Sequence, residues 1–68
     1  MSAEQRTEIG ELRKVYAAKL AQEEILHQSK LMTSTDFDER QKLGERYRSD
    51  VERLTHERDR KIEKIRNA

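Results

Sequence analysis

Residues 43–65 read LGERYRSDVERLTHERDRKIEKI. Leu43, Tyr47, Val51, Leu54, Ile62 and Ile65 recur there at three- and four-residue steps, and Arg58 stands where one more apolar residue would fall. Nearly everything between them is charged. At about 100° per residue the apolar set forms one narrow stripe, the pattern of a long amphipathic helix. A single helix cannot bury its own stripe, so another helix must cover it.

The rest of the chain supplies one. Ser2-Ala3-Glu4-Gln5 fits a capping box, with Ser2 as N-cap and Gln5 at the third helical position. From there Ile9, Leu12, Tyr16 and Leu20 share a face. Further on, Ile25 and Met32 share a side with Ala18 and Ala21, while Leu26 and Leu31 lie elsewhere. Apolar groups over more than half the circumference predict more than one neighbour for this helix.

Between the two periodic stretches lies Thr33-Ser34-Thr35-Asp36-Phe37-Asp38-Glu39. Hydroxyl side chains compete for backbone groups and favour caps and turns. Asp36 or Thr35 can cap the second helix, and Asp36, Asp38 and Glu39 suit its positive end. Phe37 is expected to cover the end of the hairpin. So short a connection makes the helices antiparallel neighbours.

The expected fold is all-α. It is an antiparallel two-helix hairpin, a coiled coil, that associates into a four-helix bundle. Helix one covers about 3–32, the turn 33–35 and helix two about 36–67, in a single domain. Gly44 lies beside the stripe, where a missing side chain would admit another backbone. Arg58 either lays its stem along the seam with its head in water or pairs with a carboxylate such as Glu23.

Composition agrees. Of 68 residues, 32% are hydrophobic and 43% charged, too little apolar matter for a sizeable closed core. Without cysteine there is no disulfide or thiolate metal site to staple so small a chain. Proline is absent and glycine occurs only at positions 10 and 44, which suits long helices. Packing against another chain is the remaining route to stability. No apolar run approaches a membrane span, so a soluble, intracellular protein is expected, with no membrane partner.

Net charge is +1, but residues 1–39 hold 5 Lys/Arg and 8 Asp/Glu, whereas residues 40–68 hold 10 and 6. That split favours antiparallel halves or a second copy as much as an external polyanion. The basic residues of helix two are interleaved with acids and lack aromatic faces for base stacking, so nucleic acid is the less favoured partner. His27 and His56 show no paired metal-ligand spacing, and there is no phosphate-binding loop or activated nucleophile. A non-enzyme without cofactor or metal is expected.

Three functional readings follow. The first is an interaction protein that self-associates, as a homodimer, or docks on a partner's helices as an adaptor or assembly subunit. Ile9, Leu12, Tyr16, Leu20, Leu43, Tyr47, Val51, Leu54, Arg58, Ile62 and Ile65 would carry its contacts. The second is a modulator of RNA polymerase or RNA. Antiparallel hairpins with acidic tips resemble the secondary-channel regulators of bacterial RNA polymerase, and Asp36, Asp38 and Glu39 would then be the tip site. The third is a secretion-type chaperone that masks a partner helix.

One more likeness spans most of residues 16–65. YAAKL at 16–20, the hydroxyl and acidic break, the Leu43, Tyr47, Val51 steps and RDRKIEKI at 58–65 resemble a known coiled-coil region. It belongs to the defective-silencing-suppressor and breast-cancer-metastasis-suppressor family of histone deacetylase corepressor subunits, with a gap of about two residues at the break. The resemblance implies self-association and scaffolding in transcriptional regulation.

Overall fold

The computed structural model describes residues 1–68 and contains two helices, α1 (Ala3–Thr33) and α2 (Phe37–Arg66). They pack against each other as an antiparallel hairpin of 51 × 16 × 8 Å. The radius of gyration is 15.8 Å, against about 11 Å for a compact domain of this length.

Each helix starts where its capping chemistry begins. The Gln5 amide donates to Ser2 Oγ at 3.1 Å, and the Ser2 amide donates to Gln5 Oε1 at 2.7 Å, completing the capping box. Asp36 caps α2, its Oδ1 accepting from the Asp38 amide at 3.4 Å. The turn is Ser34–Asp36, one residue later than the sequence suggests, because Thr33 continues α1 and bonds back to the Lys30 carbonyl at 3.1 Å.

The open ends of each helix are closed by the other. Gln5 also donates through Nε2 to the Ile65 carbonyl at 2.9 Å, at the C-terminal end of α2. Arg40 donates through Nη1 to the Leu31 and Ser34 carbonyls at 2.8 and 3.3 Å, at the C-terminal end of α1. Helix C-termini leave four carbonyls without intrahelical partners, and these two side chains satisfy some of them. They also pin the hairpin at both ends.

The stacked His27 and Tyr47 rings, 4.5 Å apart and 9° from parallel, set the register. From Ile9 on, and Gly10 aside, the half-buried and buried positions of α1 are Ile9, Leu12, Tyr16, Leu20, Glu23, His27 and Leu31. Carried along from the stacked pair, they stand level with Ile65, Ile62, Arg58, Leu54, Val51, Tyr47 and Leu43 of α2 in that order. The steps are three, four and four in both helices, an eleven-residue period. Eleven residues in three turns is about 3.67 per turn, slightly more than in a straight α-helix, so the seam drifts in the sense that favours a right-handed supercoil, opposite to that of heptads.

The core is small. Ile9, Tyr16, Leu54 and Ile62 are its buried apolar residues, with Tyr16 only 1% exposed. Two sequence expectations need correction, and the open choice at Arg58 is decided. Phe37 does not cover the hairpin end; it is 75% exposed, because as the first residue of α2 it falls outside the seam set. A Cβ at Gly44 would meet nothing within 4 Å, so no close approach within the hairpin requires this glycine. Arg58 does not pair with Glu23, which stands at the level of Val51; its Nε donates to its neighbour Asp59 at 3.0 Å.

Leu54→Asp places an unpaired charge in the seam and should abolish the hairpin, with far-UV helicity lost at all temperatures. Ser49→Asp, on an exposed position of α2, should leave helicity unchanged. Retained helicity in Leu54→Asp would show that the seam is wrongly assigned.

Candidate functional site

The eleven residues expected to contact a partner all lie on the face that each helix turns to the other. Tyr16, Ile9, Leu54 and Ile62 are buried there, and Leu12, Leu20, Leu43, Tyr47, Val51, Arg58 and Ile65 are half-buried. The first partner these side chains meet is therefore the chain's own second helix.

The best-defined cluster surrounds Tyr16. Its hydroxyl donates to Glu57 Oε2 at 3.4 Å. Lys19 Nζ and Lys61 Nζ stand over its ring at 4.8 and 5.2 Å from the centroid, within cation–π range. Arg53 Nη1 reaches Glu57 Oε1 at 3.1 Å, an i,i+4 pair on α2. Glu57 and Lys61, also four residues apart, form no ion pair; the Lys61 ammonium stands over the ring instead.

Partial desolvation pushes the Glu57 carboxyl up, but Arg53, the Tyr16 hydroxyl and Lys61 together outweigh it and hold the group below its ordinary value. Lys61 is held above its ordinary value by the Tyr16 oxygen first and by Glu57 second. These shifts stabilise the hairpin within one pH window. The contribution of Glu57 is present above its ordinary value of 4.5 and lost as pH falls through the lower folded value. That of Lys61 is present below 10.5 and lost as pH rises through the higher folded value.

Nearer the turn the seam becomes polar. Glu23, His27, Tyr47 and Asp50 line an open groove with Leu26, Lys30, Leu43 and Arg46. Periodicity counted in apolar residues does not find Glu23 and His27; only the pairing with α2 places them in the seam. Gln5 and Arg40 were equally invisible as end clamps, because their acceptors are carbonyls of the other helix.

The tip residues Asp36, Asp38 and Glu39 are all exposed. Asp36 is engaged as the N-cap, and Asp38 and Glu39 lie in the first turn of α2. No three His, Asp or Glu side chains anywhere in the chain are grouped to hold a metal ion.

What remains uncovered is one-sided. Val15, Ile25, Leu26 and Met32 of α1 are 49%, 67%, 45% and 86% exposed, and Phe37 stands beside them in sequence at the start of α2. The outer face of α2 is charged and exposed. No helix is long and apolar enough to cross a membrane. The chain matches no protein-family model, and no curated protein or solved structure is significantly similar to it.

Asp36→Ala removes the cap and should cost about 0.5–2 kcal/mol, fraying the start of α2. Asp38→Ala should cost less, because its carboxylate holds no backbone amide. Thermal melts of the two variants test this order. Glu57→Gln should flatten the acid limb of stability against pH and weaken the alkaline limb only slightly, since the Tyr16 oxygen is the larger influence on Lys61. An unchanged acid limb would remove Glu57 from the account.

Proposed function

We propose that this chain is a non-enzymatic interaction protein, a helical hairpin that self-associates or packs side-on against a partner's helices as an adaptor or assembly subunit. One observation carries the reading: the hairpin exposes more surface than a folded chain of its mass should. Its accessible surface is 5513 Å², against about 4,500 Å² for a compact monomer of the same mass. The difference of about 1,000 Å² is close to what one partner contributes to a stable interface.

Energetics point the same way. Burying an apolar side chain is worth about 1.5–3 kcal/mol, and the hairpin buries four. That is a small counterweight to the ordering of two helices of 31 and 30 residues. The exposed apolar groups of α1 are where further burial is available. A corepressor assembly, and hence transcriptional regulation, is the setting suggested by the resemblance of residues 16–65.

The dilute chain should therefore be marginally folded, gaining helicity and melting temperature as its own concentration, or that of a partner, rises. Circular dichroism across a wide dilution series tests it. A cooperative melt in the ordinary domain range of about 45–65 °C at every dilution would defeat the reading.

A further inference from the structure

The outer face of α1 has a symmetry that the hairpin itself does not use. Counting inward from the two ends of the helix, Ala3 answers Met32, Gly10 answers Ile25, and Ala17 answers Ala18. At about 100° per residue these six positions, with Thr7, Lys14, Ala21 and Gln28 interspersed among them, fall within an arc of about 100° centred well round the helix from the seam, with half-buried Gly10 toward its seam side. The arrangement is that of a surface that meets itself when turned end for end. The large apolar side chains would then each face a small residue, Met32 opposite Ala3 and Ile25 opposite Gly10, with Lys14 opposite Ala21 and Gln28 opposite Thr7 beside them.

Gly10 is otherwise unexplained. Within a helix glycine costs roughly 1 kcal/mol relative to alanine. A Cβ at Gly10 would meet nothing within 4 Å, so the hairpin has no need of the missing side chain. A second helix seating Ile25 there has such a need.

Charge selects the same orientation. Folding the chain back on itself places residues 21–52 in the half that bears the turn, with 5 Lys/Arg and 8 Asp/Glu, net −3. Residues 1–20 and 53–68 form the half that bears the termini, with 10 Lys/Arg and 6 Asp/Glu, net +4. Two hairpins lying antiparallel set unlike halves side by side twice. Two lying parallel would set like halves together twice, which is unfavourable.

We infer that a second copy of this chain covers the outer face of α1, antiparallel, about a two-fold axis passing between Ala17 and Ala18. This rests on the adaptor reading and gives it a partner. The contact is isologous, the same patch on both copies, so it closes at a dimer of hairpins. The unburied surface of about 1,000 Å² per copy is of the size that such a contact requires.

The chain has no cysteine, so introduced thiols report the geometry directly. Gly10→Cys and Ile25→Cys, mixed and oxidised, should form a disulfide between the two variants. Each variant alone should form none, because in the antiparallel pair two copies of position 10, or two of position 25, stand about 22 Å apart along the axis. Ile25→Asp, at a position 67% exposed, should raise the dimer dissociation constant at least about 10-fold in sedimentation. The wild-type dimer should also weaken as salt is raised.

Disulfides formed by either variant alone, with none in the mixture, would overturn the antiparallel geometry. So would a dimer unaffected by Ile25→Asp. If Ile25→Asp lost helicity, the cross-linking pattern would still decide. A wild-type chain that sediments as a marginally folded monomer at every concentration would overturn self-pairing while leaving the adaptor reading in place for a foreign helix. A stable, concentration-independent monomer would overturn both.

Discussion

The hairpin depends on taking Tyr16 out of water while its hydroxyl stays bonded. A buried phenol hydroxyl without a partner forfeits about 1–3 kcal/mol of what its ring gains, so the site must supply both an apolar wall and an acceptor. Glu57 is the acceptor. It lies beside the seam rather than in it, half-buried, where its charge keeps contact with solvent and with Arg53. The ring faces are then available to Lys19 and Lys61, whose stems extend the apolar cover. Arg58 stands level with Tyr16 in the register. Its stem fills the layer opposite a large ring, and its head turns to Asp59. An aliphatic side chain there would bury as well but would leave Asp59 without that partner.

The same layer divides the hairpin into two unlike halves. Toward the termini the seam is apolar, with Ile9, Leu12, Ile62 and Ile65, and it is closed by Gln5. Toward the turn it admits Glu23, His27 and Asp50, and its aromatic contact is a stack rather than a buried ring. Local stability follows local burial. The terminal half is therefore the firmer of the two, and the turn half relies on Arg40 and the Asp36 cap.

Much of this was legible in the residues, and what was missed has a common cause. The Ser2 capping box, the Asp36 cap, the hairpin connection and the stripe on α2 are all local, spanning a turn or a few turns of helix. Their chemistry is contained in neighbouring letters. The correspondence between Glu23 and Val51, or His27 and Tyr47, is a long-range fact set by register. No count of apolar residues within one helix reveals it. Gln5 shows both sides: its role in the box could be read locally, while its bond to the Ile65 carbonyl depends on where the far end of α2 arrives. Phe37 misled for the opposite reason. Hydrophobicity suggested burial, but its angular position at the start of α2 turned it outward.

The charge split along the sequence takes its meaning only after folding. Read along the chain, acid precedes base, as though the two helices were to attract each other. Yet only three ion pairs form, each within one helix and none across the seam. Attraction between α1 and α2 is therefore not where the asymmetry is used. Antiparallel folding converts it instead into a polarity along the hairpin, acidic at the turn and basic at the termini. A lone hairpin gains little from such an axial polarity, since its ends are held far apart by two rigid helices. A neighbour lying alongside in the opposite sense gains from it at both ends. The distribution of charge thus bears on association, whereas the fold itself rests on the seam around Tyr16.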